Sequence, residues 1–380
     1  MKQYDYIIAG AGAAGLSLLV RFMEGAAFDN KRILVVDKAP KKENDHTWCF
    51  WEKQPGIFEP VVHHSWPCVH FFSNYFSSLL NLAPYKYKMI RSIDLYNYVH
   101  RIALNHPNVE FIYGNIEAAR NEGNTGSIVV NRKQFTANYV FNSVYAKPIV
   151  PAGKYYLLQH FKGFVIETNK PVFNPSQATL MDFRVSQNSG TAFVYTLPLS
   201  QHRALVEYTL FSKQLLAPEE YVAVLKNYIS EFLGVEAFLI AEEEFGVIPM
   251  TNLKFEKRVG RVINIGTAGG QTKGSSGYTF QFIQKHSDSI ISDLLQHGEV
   301  KEHRSFFEKR FSFYDSTLLN ILSGDKLPID KIFSDLFGKN PIERVFRFLD
   351  NESNIRDEIS LMATLPKKVF VKAGLQEFLK

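Results

Sequence analysis

The chain has 380 residues, 46% hydrophobic and 21% charged. This is globular composition with enough length for a core spread over two packed units, and it excludes disorder as a starting assumption. Forty-three Lys and Arg against thirty-eight Asp and Glu leave a formal charge of +5, scattered along the chain. Nucleic acid is therefore not an expected partner, and an acidic lipid surface is the better match. Cys49 and Cys68 are the only cysteines, too few for a disulfide framework and without metal-ligand spacing. They point to a cytoplasmic setting and to no metal.

The first element, in "MKQYDYIIAGAGAAGLSLLVRFMEG", is an apolar strand from Tyr4 to Ala9. Asp5 interrupts what would otherwise resemble a signal peptide. Gly10, Gly12 and Gly15 follow in G-x-G-x-x-G spacing, and Ala13 and Ala14 open a helix running to about Met23. The strand "RILVVD" then ends at Asp37, 22 residues beyond Gly15, with Lys38 next. Gly10 permits the turn, Gly12 lets the backbone approach a pyrophosphate, and Gly15 lets the helix pack close. The helix N-terminus attracts phosphate, and Asp37 is placed to accept from a ribose hydroxyl. Strand, glycines, helix, strand and acid in order predict a dinucleotide site. FAD and NAD are not distinguished at this point.

"NDHTWCFW" follows, with His46 and Trp48, and then "PVVHHSWPCVHFFSNYFSSLLNLAPY", which holds no Asp, Glu, Lys or Arg. It reads as a buried strand and loop, or as a surface touching lipid. No stretch of about 20 strongly apolar residues predicts a membrane-spanning helix. In "YKMIRSIDLYNYVHRIAL", Arg91 precedes a helix, and "VEFIYGNIEAA" reads as a further strand. "FVYTLPLSQHRALVEYTLFS" reads as two strands around a polar turn. Glu207 lies within the second, on the face opposite Tyr208. "RVINIGTAGGQTKGSSGYTFQFI" gives a strand from Val262, a loop with Gly266, Thr267 and Gly270, and a helix opening near Gly277, Tyr278 and Thr279. The last ninety residues carry a helical pattern.

The N-terminal fingerprint combined with this second glycine cluster resembles flavoproteins of the p-hydroxybenzoate hydroxylase type. The resemblance implies FAD, with the second loop on the ribitol and pyrophosphate and the second helix aimed at the flavin. Thr267 stands where such proteins commonly have Asp. Arg91 either decorates its helix or, as the resemblance implies, reaches toward the cofactor phosphates. His46 is either a loop histidine held by backbone groups or part of a flavin-facing shell with Trp48.

"NDHTWCFW", "LQHFKGFVIETNKPVF", "ATLMDFRV", "FVYTLPLSQHRALVEYT", "FGVIPM" and "GTAGGQTKGSSGYTF" resemble, in order, successive blocks of the bacterial lycopene cyclases. The resemblance implies ring closure on lycopene without net redox change, reduced FAD as cofactor and NAD(P)H as electron source. It also implies acid work by Glu207. Family members often carry a second acid directly after this glutamate; Tyr208 replaces it here, so Glu207 is expected to act alone. Because lycopene is insoluble, peripheral contact with the inner face of the cell membrane is expected. The rivals are a related FAD-dependent oxidoreductase, such as an isoprenoid reductase or aromatic monooxygenase, and a non-catalytic flavin or carotenoid binder.

The expected fold is α/β: a Rossmann-like FAD-binding domain (residues 1–58, 89–150 and 246–296), an inserted, mainly antiparallel β-sheet substrate domain (59–88 and 151–245), and a helical C-terminal region (297–380).

Overall fold

The computed structural model describes residues 3–302 and 306–380. Strand Gln3–Ala9 is buried along nearly its whole length because it lies inside a covered sheet. It pairs in parallel with Ile33–Asp37 on one side and Lys133–Asn142 on the other. Val109–Tyr113 and Val262–Asn264 extend the sheet in the same sense, so residues far apart in the chain complete one nucleotide-type sheet. Helices Ala13–Glu24 and Phe280–His297 share one core. Arg21 ties them together through Asp288 at 2.6 Å and Gln284 at 3.0 Å.

The second large sheet has seven strands in the order Leu239–Thr251, Tyr156–Glu167, Arg203–Ser212, Thr191–Pro198, Gln177–Asp182, Cys68–Phe72 and Ser77–Asn81. All its pairings are antiparallel except that between Gln177–Asp182 and Cys68–Phe72. Both faces are covered. Helix Pro218–Glu231 packs Tyr221, Leu225 and Tyr228 against Val194, Val206 and Tyr208. Opposite, Tyr195 and Leu205 share a core with helices Ile329–Lys339 and Ile342–Leu349. A small third sheet, Thr47–Glu52 with Lys86–Arg91 and His64–Trp66, joins that second core through Trp51, Trp66 and Tyr87.

The expected α/β class, inserted antiparallel sheet and helical C-terminal region are thus present. The segment without charges forms strands and loop, with Trp66, Val69, Phe71 and Leu82 fully buried. Two elements differ from expectation. "VEFIYGNIEAA" is two strands, Val109–Tyr113 and Ile116–Glu122, because the chain turns at Gly114, whose N–H donates to the Asp37 carbonyl. The helix expected near Gly277 starts at Phe280, since Gly277 holds φ +71°, a conformation that no right-handed helix continues. Among the described residues no helix is long and apolar enough to cross a membrane.

Candidate functional site

The glycine turn is built for close approach. Gly10 holds φ +103°, and a Cβ on Gly15 would lie 1.9 Å from the Gly10 carbonyl oxygen. A Cβ on Gly12 would meet nothing within 4 Å, so open space faces the helix start, where no side chain caps the N–H groups. Asp37 Oδ2 accepts from the Ala11 N–H at 2.6 Å, which aims the carboxylate at this turn. Lys41 Nζ stands 3.8 Å from Oδ1.

The second glycine loop meets the first helix where it opens: a Cβ on Gly266 would come within 2.8 Å of the Ala14 Cβ. Gly270 closes that loop in the left-handed region, and the hydroxyls of Thr267, Thr272 and Thr279 form a chain with spacings of 3.2 and 3.1 Å. Trp48 stacks 6.3 Å from the Phe280 ring at the start of the second helix. These features fit a dinucleotide: two helix starts, open space at Gly12 and a fixed acid. Lys38 and His46 are exposed. Arg91 is held by Asp94 through bonds of 2.7 and 2.9 Å at the start of its helix.

The acid region is built by strand register. Glu207 lies opposite Gly163, and Gly163 lies opposite Glu244 on the edge strand Leu239–Thr251. Directly paired residues share a sheet face, so two glutamates flank a residue that has no side chain. A Cβ on Gly163 would meet Glu244 Cγ at 2.9 Å and Leu205 Cδ1 at 3.0 Å. Thr209 Oγ1 donates to Glu207 Oε1 at 3.1 Å, and Thr47 Oγ1 donates to Glu244 Oε2 at 2.7 Å. Tyr208 points to the other face, into the core under helix Pro218–Glu231. The expectation that Glu207 acts without a second carboxylate nearby is therefore corrected: the partner acid comes from another strand, not from the next residue.

Burial, then the charge of Glu244 and a hydrogen bond with it, push the Glu207 carboxyl well above the usual carboxylate range; Thr209 opposes this weakly. Among the described residues no salt bridge reaches Glu207. The Cys49 thiol is pushed up by burial and by both glutamates, and the Tyr195 hydroxyl by burial, by Tyr278 and by Glu207. Tyr87, hydrogen-bonded to Cys49, is raised chiefly by burial. Tyr278, expected at the cofactor, has its hydroxyl beside Tyr195 and its ring edge-on to Trp51 at 4.8 Å, so it also walls this region.

Sequence reasoning missed Glu244, Gly163, Cys49, Tyr87 and Tyr195. The signal for Glu244 was its two-residue spacing from Gly246 and Ile248 in a strand, obscured by the run Glu242-Glu243-Glu244, which reads as a solvated strand end.

A profile of the lycopene cyclase protein family matches residues 5–374. The lycopene beta-cyclase of Pantoea ananas is 26% identical over 393 aligned positions, covering 98% of this chain and 97% of that protein. Among solved structures, a geranylgeranyl bacteriochlorophyll reductase-like protein of Thermoplasma acidophilum superposes with a TM-score of 0.62 at 9% identity, over 98% of each chain. A flavoprotein/dehydrogenase of Cytophaga hutchinsonii gives 0.62 at 13% identity, over 99% of this chain and 100% of that one. These two share the fold.

Proposed function

The chain belongs to the lycopene cyclase protein family, and from that premise we propose that it closes β-ionone rings on the ends of lycopene, with FAD as cofactor. The reaction is an isomerisation. Its hardest step is protonation of an isolated carbon–carbon double bond, which needs a carboxylic acid that stays protonated near neutrality. The placement of Glu207 beside Cys49 and across from Tyr195, with no cation paired to it among the described residues, is the single observation that carries this reading, and desolvation there raises its carboxyl.

Glu207 gives its proton to the terminal double bond, leaving a tertiary cation on the substrate. The neighbouring double bond attacks that cation and closes the ring. A ring proton then returns to Glu207, and its C–H electrons become the new double bond, so no electrons are gained or lost overall. Tyr87, Tyr195 and Tyr278 stand around this region, and an aromatic face turned to a passing cation stabilises it by roughly 0.5–2 kcal/mol. Gly10, Gly12, Ala13, Ala14, Gly15 and Asp37 would hold the adenine-side phosphates and ribose, with Gly266, Thr267, Gly270 and Thr279 at the flavin end. When bound in its reduced form, with NAD(P)H as electron source, FAD would supply negative charge near the cation.

The substrate is a hydrocarbon, and the reading includes docking on an anionic bilayer through helix Lys367–Phe378. Val371, Leu375 and Leu379, 61%, 58% and 84% exposed, recur every four residues and so share a face. Lys367, Lys368 and Lys372 flank them. The helix's one acid, Glu377, is turned inward onto Asn320 and Tyr155, which leaves the outward charge wholly positive, the pattern of an interfacial helix. Lys368→Glu with Lys372→Glu is expected to release the protein from phosphatidylglycerol vesicles; unchanged binding would remove this helix from the reading.

Expression in a lycopene-accumulating bacterium tests the activity. Conversion to γ- or β-carotene is expected, and unchanged lycopene beside FAD-loaded protein would refute the proposal.

A further inference from the structure

Three strands bring Glu207, Gly163 and Glu244 into one row across the sheet. Glu244 is anchored at one oxygen by the Thr47 hydroxyl, while its Oε1 is buried and, among the described residues, receives no hydrogen bond from any hydroxyl, amide or ammonium group. Glu244 leans over Gly163, its Cγ 2.9 Å from where a Cβ on Gly163 would stand, toward the Glu207 carboxyl on the next strand of the same face. Two carboxylate oxygens attract only when a proton lies between them, and a buried acceptor left without a donor is costly.

We infer that Glu207 and Glu244 form a one-proton acid pair, with Glu244 the positioning residue that holds the proton on Glu207 and Gly163 the residue that makes room for both. Glu244 does not touch the reacting carbon in this arrangement. It acts through Glu207, which lies opposite Tyr195 on its other side.

The pair gives Glu207 two properties that a single buried acid lacks. Before reaction, the negative charge of Glu244 opposes ionisation of Glu207, so the acid remains loaded. When the Glu207 O–H bond breaks and its proton forms the new C–H bond, the electron pair stays on Glu207. Two adjacent carboxylates then face the substrate cation. Their mutual repulsion favours recapture of the ring proton, whose former C–H electrons become the ring double bond. The proton taken equals the proton returned, and the pair ends as it began. The Thr47 hydroxyl fixes Glu244 from the first residue of strand Thr47–Glu52, which ties the pair to the small sheet.

Other titratable groups facing the pair are Cys49 and Tyr87 from the small sheet, Tyr195 from the adjacent strand, and Tyr278 from the segment before the second helix. Burial pushes each of them upward, so none ionises ahead of the pair near neutrality.

The inference rests on the cyclase reading for its chemistry, but its test does not. The FAD-loaded protein without lycopene should show an infrared band of a protonated carboxyl group at neutral pH that disappears in Glu207→Gln. In Glu244→Gln, which keeps size and removes charge, that band should titrate away at lower pH than in the parent protein. The alkaline limb of cyclisation should shift the same way, with kcat falling more than KM rises. Gly163→Ala reads the same pair from the intervening strand, because its Cβ displaces Glu244, and it serves if Glu244→Gln does not load FAD. A band that titrates at the parent pH in the variant that folds overturns the pair. A band that shifts as expected in a protein that leaves lycopene untouched upholds the pair and rejects the cyclase reading.

Discussion

Two acids in the same seven-stranded sheet meet opposite fates. Asp182, with no exposed surface, takes two bonds from the Arg184 guanidinium, one from the Arg184 N–H and one from the Tyr228 hydroxyl at 2.8 Å, on the face under helix Pro218–Glu231. Glu207, on the other face, receives one threonine hydroxyl and a second carboxyl. A buried carboxylate given a guanidinium is settled, and its removal is a stability problem. One given another acid is held in the protonated form, which serves proton transfer better than folding.

The contrast can be broken at either site. The largest expected effect is on Glu207→Gln, which should fold and load FAD yet lose about 10²–10⁴-fold or more of cyclisation rate, by pigment analysis against the parent protein. Next, Arg184→Met, which leaves Asp182 without its cation, should cost about 3 kcal/mol in denaturant unfolding, a value at the lower end because the guanidinium is part-exposed. Turnover per folded molecule should hardly change. If Arg184→Met abolished catalysis while sparing stability, the assignment of the two faces would be reversed.

A smaller effect follows from linkage. A carboxyl whose pKa is raised in the folded state contributes its stability below the unfolded value, near 4.5, and loses it as pH rises through the folded value. Glu207→Gln should therefore gain on the parent protein as pH rises from 5 to 8, read as Tm against pH. A constant difference across that range would mean that Glu207 is ionised throughout. Gly12→Val tests the other end of the molecule: with open space before it and an ordinary φ, it should fold and lose flavin absorbance.

The glycine turn was legible because its demands are local. Gly10 is required by its own positive φ and Gly15 by the Gly10 carbonyl and Ile8 a few residues away, and the spacing carries both requirements in plain order. The hairpin around Glu207 and its alternation with Tyr208 were equally legible, since side chains alternate along a strand whatever its neighbours do. Glu244 was not, because its meaning depends on which strand pairs with Tyr156–Glu167 and in which register. The block "FGVIPM" begins one residue after it. Gly163 was quoted in "LQHFKGFVIET" without a role, since a missing side chain has meaning only once the groups that fill its place are known. Tyr208 misled for the same reason: it marked the absence of a neighbouring acid in sequence and said nothing about a neighbour in space.

The hydrogen bond from Thr47 to Glu244 joins residues 197 positions apart. Closing a chain segment of that length costs roughly 5 kcal/mol in entropy, and long-range closures of this kind come late in folding. A ribosome that has made the nucleotide turn has therefore not yet made an acid. Until the edge strand and, after it, the second glycine loop are released and dock, the proton-transfer end and the nucleotide-binding end both stay incomplete, so reactivity is withheld from every unfinished chain.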